Sequence, residues 1–479
     1  MKKAAALFAL LLALCCFGCD GRKIKREESV CPPPSYHIVA ELLPETDSLT
    51  VKTQIDWTSP ADDLAAVKFK LYPNAYKTRV VTEDKVSAAY PHGKESYGGT
   101  ELVSVTCDVP LADSDVGEDG LALTARLSRR LKKGERVTFT IDQTVTLACV
   151  KHRLGYYDGY YYLSNFYPEV CPFADGKFIC YPYAPYGDPF RFENASFSLE
   201  LTLPVNYECA CSAEEVRAET CGKVKTVFYQ AASTREVALV ASQKLRHAAE
   251  AEGDVKLFYY YADGSDKQKT LALIKDAISY FSEHFGNYPY PTYTVVAAPF
   301  FEAGVEHSGL AVLSKDLPFS QKKKTLLHET AHQWWFGKVG NDEVLSPWLD
   351  EGLAEYSVAS YYRDKGFNAV YREMIQNAED AFSIRLALKG VEGTRFDLPL
   401  PELADGYYDR AYAGGLLLFS ALSESVGMDR FHAALKTFAN CFQGAVATPD
   451  DLVLSLSASL QKDYSSLFRA WLTATVPLQ

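Results

Sequence analysis

The sequence predicts an α+β chain of more than one domain, in which a strand-rich region precedes a mostly helical one. From about residue 36 to residue 245, apolar residues alternate or cluster in short runs between Gly, Pro and Asp turns, which is typical of antiparallel strands. After residue 366 they recur at helical spacing. With 479 residues, 48% of them hydrophobic, the chain can bury two or three cores.

The charge balance argues against a nucleic-acid partner. The formal net charge is −12. The basic clusters at residues 22–26 and 322–324 are short, and we expect both to be solvated surface.

The N-terminal segment has the features of a secretory signal. Lys2 and Lys3 precede an apolar run that ends at Phe17, and this run is too short to span a bilayer comfortably. The sequence therefore predicts a signal peptide over residues 1–18 and export of the chain.

The residues that follow predict how the exported chain is held. Gly18 and Cys19 resemble the end of a bacterial lipobox, in which the cysteine is lipidated, although Cys16 stands where that motif usually has Leu. We predict a lipid on Cys19, a tether over residues 19–35 and a lipid-anchored location at a membrane of the bacterial cell envelope. Plain signal cleavage near the same place is the alternative.

Twelve cysteines in an exported chain indicate disulfides. Three of them lie in the signal region, so the remaining number is odd and at least one should stay unpaired. Candidate pairs are Cys171 with Cys180, and Cys209 or Cys211 with Cys221.

Six segments of the first region predict strands, and we place a β-rich domain over residues 36–250. The segments are residues 37–43, 50–57, 66–72, 136–145, 196–203 and 224–230. Residues 156–186 are rich in tyrosine and could form an aromatic wall for a ligand. Core packing of a β-domain is the interpretation that we favour.

A turn at Glu252-Gly253-Asp254 marks the predicted boundary, and we place the second domain over residues 251–479. A helix over residues 266–285 and a strand over residues 293–299 come first. Further helices are predicted over residues 368–388, 413–426, 429–438, 449–461 and 464–473.

The most specific motif is the pentapeptide HETAH, from His328 to His332. On a helix, residues four apart share one face, so both imidazoles can reach one metal while Glu329 lies beside them. Ser320 is a plausible N-cap of this helix and Gly337 a plausible end. Catalytic zinc takes three protein ligands and a water, which Glu329 could deprotonate. The motif predicts one zinc ion per chain.

The third predicted ligand is Glu351, which follows His332 after a gap of eighteen residues. Ser346 as N-cap and Pro347 at the first helical position predict a second helix, with Glu351 in its opening turns. A carboxylate can complete a zinc site that two histidines begin.

The spacing also decides between classes of metallopeptidase. The metzincin class is excluded because Trp335 and Lys338 stand where it needs Gly and His. The phrases HETAHQWWF (328–336) and WLDEGLAEY (348–356) resemble the aminopeptidase N family of gluzincins. The resemblance, to a short lipoprotein-type member, implies a β-rich N-terminal domain followed by a thermolysin-like, mostly helical catalytic domain with a small sheet.

The segment FEAGVEHSGL (301–310) resembles the GAMEN segment of that family. The resemblance implies that Glu306 binds the free α-amine of the substrate and that the backbone at Gly304 and Val305 pairs with the peptide. A fixed carboxylate near the metal would hold an ammonium by charge-assisted hydrogen bonds. A local cap or salt bridge of Glu306 is the alternative, and we expect His307 to be a pocket or packing residue.

Two further residues complete the predicted site. Tyr412 lies in a phrase that resembles the Tyr-x-x-Gly segment of the family, which implies that its hydroxyl donates to the oxyanion. Tyr407 and Tyr408 lack the following Gly at that spacing. Glu355, one helical turn past Glu351, is predicted to orient a ligand histidine.

Together these features predict an aminopeptidase that hydrolyses the first bond of peptides with a free N-terminus, by water activated at zinc with Glu329 as general base. Two alternatives stay open. One is a gluzincin endopeptidase, and the other is a catalytically silent lipoprotein that binds partners at the surface.

Overall fold

The computed structural model describes residues 31–264 and 266–473. The predicted signal peptide, Cys19 and most of the tether lie outside these residues. Within the described ranges, no helix has the length and apolar character that crossing a membrane would need.

The chain forms 22 strands and ten α-helices in the described residues. The strands are β1 (Ser35–Leu43), β2 (Ser48–Thr58), β3 (Leu64–Lys70), β4 (Gly99–Cys107), β5 (Leu111–Val116), β6 (Ala122–Leu131), β7 (Arg136–Thr146), β8 (Leu154–Tyr157), β9 (Tyr160–Leu163), β10 (Glu169–Val170), β11 (Phe173–Ala174), β12 (Lys177–Phe178), β13 (Ala195–Pro204), β14 (Glu208–Cys211), β15 (Glu214–Cys221), β16 (Val224–Thr234), β17 (Leu239–Ser242), β18 (Arg246–Glu252), β19 (Val255–Tyr261), β20 (Thr292–Ala298), β21 (Gly304–His307) and β22 (Leu310–Ser314). The helices are α1 (Val86–Ala89), α2 (Lys267–Phe285), α3 (Phe319–Ala331), α4 (Trp348–Asp364), α5 (Asn368–Gly393), α6 (Leu400–Leu403), α7 (Gly415–Val426), α8 (Met428–Cys441), α9 (Pro449–Leu460) and α10 (Ser465–Leu472).

The first region is built on a seven-stranded sheet in the order β15-β16-β13-β1-β2-β7-β4. All neighbours are antiparallel except β1 and β13, which are parallel. Two four-stranded sheets, β10-β3-β6-β5 and β14-β17-β9-β8, complete the region with the hairpin β11-β12. Alternate residues of β1 are buried, as expected for a sheet with one face on the core. All six predicted strands are present.

The tyrosine-rich stretch contributes to cores, as we favoured. Tyr160, Tyr161 and Tyr162 of β9 are all buried. Tyr160 and Tyr162 belong to an apolar cluster with Val296 of β20 and Val312 of β22, and the Tyr162 hydroxyl donates to the carbonyl of Pro299. This cluster fixes the β-rich region against the second sheet.

Of the candidate disulfides, only one forms. Cys171 and Cys180 are bonded, as predicted. Cys209 and Cys211 are buried on β14, whereas Cys221 is exposed at the end of β15 in a different sheet, and none of the three is disulfide-bonded. The second pairing was therefore wrong, because spacing along the chain does not show which sheet each strand joins.

The second region combines a five-stranded sheet with the remaining long helices. The strand order is β18-β19-β20-β22-β21, with β19, β20 and β22 parallel and β21 antiparallel at the edge. Helices α2, α3 and α4 pack in one apolar core with α7, α8 and α9. The predicted α+β architecture is confirmed.

The two helices that carry the motif differ in detail from prediction. Helix α3 starts at Phe319 after Pro318, so Ser320 is not its N-cap, and it ends at Ala331 rather than near Gly337. Helix α4 starts at Trp348, and no side chain caps its N-terminus. Both differences arise because local signals fix a helix end only to within a few residues.

The prediction that residues 322–324 are solvated surface holds for Lys324, which is exposed, but was wrong for Lys322. Lys322 is buried and pairs with Asp266. Lys323 lies over aromatic rings, and Lys324 pairs with Glu355 at 3.3 Å. These partners offset the unfavourable interaction of three lysines with the positive end of the helix dipole.

Candidate active site

Three predicted ligands converge at the C-terminal end of α3 and the N-terminal end of α4. The Nε2 atom of His328 lies 3.1 Å from Nε2 of His332 and 3.1 Å from Oε2 of Glu351. The distance from His332 Nε2 to the same carboxylate oxygen is 3.3 Å. Ligands at about 2.0–2.1 Å around a tetrahedral zinc ion lie about 3.3 Å apart, so the spacing fits zinc.

The hydrogen bonds of Nδ1 in each histidine ring explain why Nε2 can bind a metal. Oε1 of Glu355 lies 3.0 Å from His328 Nδ1, and the carbonyl of Trp335 lies 3.3 Å from His332 Nδ1. Both partners are acceptors, so we assign the ring protons to Nδ1, which leaves lone pairs on both Nε2 atoms. The two Nε2 lone pairs and the Glu351 carboxylate then face one point. They repel one another unless a cation lies between them.

Charges around the ligands keep them ready for a metal. Burial alone would raise the pKa of Glu351, but the two histidines hold it well below its usual range. Burial would likewise raise the pKa of Glu355, yet Lys324 and His328 keep it below its usual range. Both carboxylates therefore stay ionised, and Glu355 occupies the position from which we predicted it to orient a ligand histidine.

The predicted oxyanion donor reaches the same point from the other side. The Tyr412 hydroxyl donates to Oε1 of Glu351, and its ring stacks on His328 with centroids 5.7 Å apart. Burial and the Glu351 charge raise the pKa of Tyr412 well above its usual range, so the hydroxyl keeps its proton.

A pair of glycines and a π-helical segment set the position of Tyr412. Tyr412 lies in the π-helical segment Tyr408–Gly414, immediately before α7. A Cβ on Gly415 would lie 2.5 Å from the Cα of Gly352, so only two glycines let α7 approach α4 this closely. π-Helical turns occur frequently at functional sites, and here the turn aims a side chain at the metal ligands.

The candidate general base lies beside the edge strand β21. Burial raises the pKa of Glu329 above its usual range. A Cβ on Gly304 would come within 2.5 Å of Glu329 Oε1, so glycine leaves room for this carboxylate. Val305 points into the apolar cluster behind the strand, and only its backbone can meet a ligand. In the described residues, β21 has a strand partner on one edge only.

Glu306, the next residue of β21, has its side chain in the cleft. One oxygen of Glu306, one oxygen of Glu329 and a ring nitrogen of His332 lie within 4.8 Å of one another. Glu306 also lies 4.0 Å from Nη1 of Arg153, which pairs more closely with Asp188. A local salt bridge, which we left open for Glu306, is thus present but long.

His307 takes no part in the metal site. Its Nδ1 lies 2.8 Å from Oε1 of Glu236, in the β-rich region, and both side chains are buried. The Gln333 side chain accepts from the backbone of Gly309 and donates to the carbonyl of His307, which ties the β21-β22 turn to the residues after α3.

Several residues that line the cleft were not predicted from the sequence to be site residues. Arg153 and Asp188 come from the β-rich region, and Glu302 and Tyr408 from the second region. The cleft encloses about 230 Å³. Asp188 lies in the phrase Gly-Asp-Pro-Phe (187–190), which could have drawn attention to it. A lone Arg in a strand region gives no such signal.

Three converging zinc-type donors at a helix pair, with a carboxylate base and an open edge strand beside them, form the arrangement that the sequence predicts for a gluzincin metallopeptidase. Comparison with known proteins narrows this class. Residues 270–471 match the family model described as the Peptidase family M1 domain.

Relatives and solved structures agree with that match. Aminopeptidase M1-B of Oryza sativa subsp. japonica is 27% identical over 299 residues, which are 58% of this chain and 34% of that protein. Aminopeptidase N of Lactobacillus helveticus is 28% identical over 241 residues, 46% of this chain and 28% of that protein. An M1 zinc metallopeptidase of Deinococcus radiodurans, in mutant form, superposes with a TM-score of 0.68 over 93% of this chain and 95% of its own, at 17% identity.

Residues 270–471 of this chain are therefore similar to peptidase family M1, in agreement with the resemblance to the aminopeptidase N family. The matched region spans about a third of the length of the curated relatives. The structural match covers 93% of this chain, including both regions, and shows that they share the fold of that M1 zinc metallopeptidase.

Proposed function

We propose that this protein is a zinc-dependent aminopeptidase that removes the N-terminal residue of peptides. The observation that carries the proposal is the position of Glu306, whose carboxylate lies within 4.8 Å of the Glu329 carboxylate and a ring nitrogen of His332. A peptide ammonium held by Glu306 places only the first peptide bond beside the base and the metal ligands.

The residues divide the chemistry among them. When bound by His328, His332 and Glu351, zinc polarises the scissile carbonyl and lowers the pKa of water. Glu329 takes the proton of the attacking water and returns it to the leaving nitrogen as the C–N bond breaks. The Tyr412 hydroxyl donates a hydrogen bond to the carbonyl oxygen as negative charge develops there.

The β-rich region closes the cleft on the amine side. Arg153 and Asp188 form a buried ion pair beside Glu306. Glu306 Oε1 lies 4.0 Å from Nη1 of Arg153, and the Glu306 side chain lines the cleft. The edge of β21 can pair with the extended backbone of a peptide, which would align the first bond with Glu329.

A panel of aminoacyl fluorogenic amides and their N-acetylated twins tests the proposal. We expect chelator-sensitive hydrolysis of the free-amine substrates only, because an acetylated N-terminus has no charge for Glu306 to bind. Equal hydrolysis of both sets would overturn the aminopeptidase and indicate an endopeptidase. Absence of hydrolysis of any peptide, with zinc bound, would leave a binding protein.

A variant of the amine anchor sharpens that test. Glu306→Gln should lower kcat/KM for free-amine substrates by about a hundredfold, since a charge-assisted hydrogen bond is worth about 1.5–3 kcal/mol. Glu379→Gln, on the exposed side of α5, is the matched control and should change nothing. Equal kcat/KM in the two variants would remove Glu306 from amine binding.

We also propose that the chain is exported and attached to a bacterial membrane by a lipid on Cys19. The support is the charged and apolar signal before Gly18 and the small residue that precedes Cys19. Metabolic labelling with a radioactive fatty acid should mark the wild-type protein and the Cys15→Ser control, which lies outside the lipobox-like residues 16–19, but not Cys19→Ser. Equal labelling of Cys19→Ser, or an unlabelled wild type, would contradict the proposal.

A further inference from the structure

A second group of two histidines and a carboxylate lies in the catalytic region, away from the first. His284 is in the last turn of α2, Asp364 ends α4, and His432 is in the second turn of α8. Asp364 is thirteen residues beyond Glu351 on the same helix, which is about 20 Å along the helix axis at 1.5 Å per residue. The group shares no residue with the predicted catalytic site.

The side chains of this group come within reach of one ion. Nδ1 of His432 lies 3.1 Å from Nδ1 of His284, and Oδ2 of Asp364 lies 3.8 Å from Nε2 of His284. One ligand atom from each of the three residues lies within 4.8 Å of the other two. The separation of the two imidazole nitrogens is close to the 3.1 Å found between the histidines of the first site.

Neighbouring hydroxyls fix the tautomer of His432. Its Nε2 lies 3.1 Å from the hydroxyl of Tyr356, and that hydroxyl donates to Oγ of Ser423 at 2.9 Å. The Tyr356 oxygen is therefore an acceptor toward His432, which places the ring proton on Nε2 and the lone pair on Nδ1. His432 is 3% exposed, so this arrangement is set by the core.

His284 cannot satisfy both of its neighbours with a single ring proton. A proton on Nδ1 would donate to His432, but the lone pair on Nε2 would then face the Asp364 carboxylate. A proton on Nε2 would face the carboxylate, but two Nδ1 lone pairs would then point at each other across 3.1 Å. Each neutral form leaves one repulsive contact, and a cation removes it.

We propose that His284, His432 and Asp364 bind a second divalent metal ion of the zinc type. Two imidazoles and a carboxylate are ligands that zinc and its neighbours in the first transition series accept. Two outer contacts support them, because Tyr356 orients His432 and the Tyr280 hydroxyl donates to Oδ2 of Asp364 at 2.7 Å. His284 and Asp364 are 23% and 25% exposed, which gives an ion a path from solvent.

An ion at this position would act on the fold. It would connect the end of α2, the end of α4 and the start of α8, three helices of one apolar core. Because the ion binds the folded chain and not the unfolded one, it stabilises the fold by an amount that grows with the logarithm of its concentration above the dissociation constant. The competing arrangement is a neutral His284 whose Nδ1–H donates to Nδ1 of His432 at 3.1 Å, which needs no metal.

Metal counting by mass spectrometry separates these arrangements. We expect two equivalents of zinc in the full chain after dialysis against micromolar free zinc. One should remain in His328→Ala/His332→Ala, one in His284→Ala, and none when the three changes are combined. His247→Ala, at an exposed histidine outside both groups, is the control and should keep two equivalents.

A titration with Co²⁺ gives a second readout. In His328→Ala/His332→Ala, we expect a visible absorption band that saturates at one equivalent, with a thermal midpoint that rises with the metal. Asp364→Asn in that background leaves an oxygen to accept from Tyr280 and should weaken binding by about tenfold or more. One equivalent in the wild type, with none in His328→Ala/His332→Ala and no cobalt band, would overturn the proposal in favour of the neutral pair in which His284 donates to His432.

Discussion

Two groups of the same composition, two histidines and a carboxylate, depend on one helix and yet are built differently. Helix α4 contributes Glu351 and Glu355 to the first group and Tyr356 and Asp364 to the second. In the first group both histidines come from one helical turn. In the second each ligand comes from a different helix.

The two groups differ in how closely their ligand atoms are already arranged for a metal. The ligand atoms of the first group are buried and lie 3.1–3.3 Å apart, so a metal adds little ordering cost. The second group is partly exposed and its carboxylate oxygen lies 3.8 Å from the nearer ring nitrogen of His284, so a side chain must rotate when an ion binds. We therefore expect the first group to bind zinc more tightly and to be the only one that catalyses.

The largest expected effect separates catalysis from metal binding. Glu329→Gln should lower kcat by about 10²–10⁴-fold, because it removes the base that moves the proton while every metal ligand remains. Zinc content should stay at the wild-type value. A kcat within tenfold of wild type would show that another group accepts the proton, and a loss of zinc would show that Glu329 is needed to hold the metal.

The next largest effect on kcat is expected from removing the Tyr412 hydroxyl, a hydrogen-bond donor beside the first group. Tyr412→Phe should lower kcat by about 10²-fold, with KM little changed, because its hydrogen bond strengthens as charge develops on the substrate oxygen. Tyr371→Phe, whose hydroxyl contacts exposed Glu424, is the matched control. Equal kcat values in the two variants would mean that Tyr412 serves only to position Glu351.

The same contrast explains what could be predicted from the sequence. His328 and His332 are four residues apart, so helix geometry alone brings them together. His284 and His432 are 148 residues apart, and no local pattern shows that two helices bring them together. Arg153 and Asp188 were missed for the same reason, since the β-rich region reaches the cleft only through tertiary packing.

Among the fold elements, too, those set by local sequence patterns were predicted and those set by tertiary packing were not. Strands with alternating burial, such as β1 and β13, were predicted because alternation is a local property. The end of α3 at Ala331 was not predicted, because local signals place a helix end only to within a few residues. The wrong pairing of Cys221 with Cys209 or Cys211 likewise needed knowledge of the sheet to which each strand belongs.

An outer contact of the first group gives the third prediction. Glu355→Gln should weaken zinc binding at the first site by about 10–100-fold, because it removes the charge that holds the His328 tautomer. The measurement is competition with a chelator of known affinity. Binding at the second site should not change, and an unaltered affinity at the first would mean that Glu355 serves Lys324 alone.

The fourth prediction concerns the acidic side chains that line the cleft, because a positively charged substrate side chain can pair with them. Within the described residues, Glu302 lines this cleft without a hydrogen bond or ion pair, whereas Asp188 and Glu306 share Arg153. We expect substrates with N-terminal Arg or Lys to be preferred. Glu302→Gln should lower kcat/KM for them by about tenfold, or about 1.4 kcal/mol, and leave Leu substrates unchanged. An equal loss for both would assign Glu302 to the structure of the cleft.

The smallest expected effect is on metal binding at the second site, and it comes from a change at Tyr356, the residue after Glu355. Tyr356→Phe removes the hydroxyl that accepts from His432, so the ring proton can move to Nδ1 and compete with a metal. One hydrogen bond is worth about 0.5–1.5 kcal/mol, so the second site should weaken by about threefold to tenfold. The first site should keep its affinity, since Tyr356 faces away from it. If adjacent variants each weaken only one site, the two groups are independent although one helix carries both; if either weakens both, α4 moves as a unit and couples them.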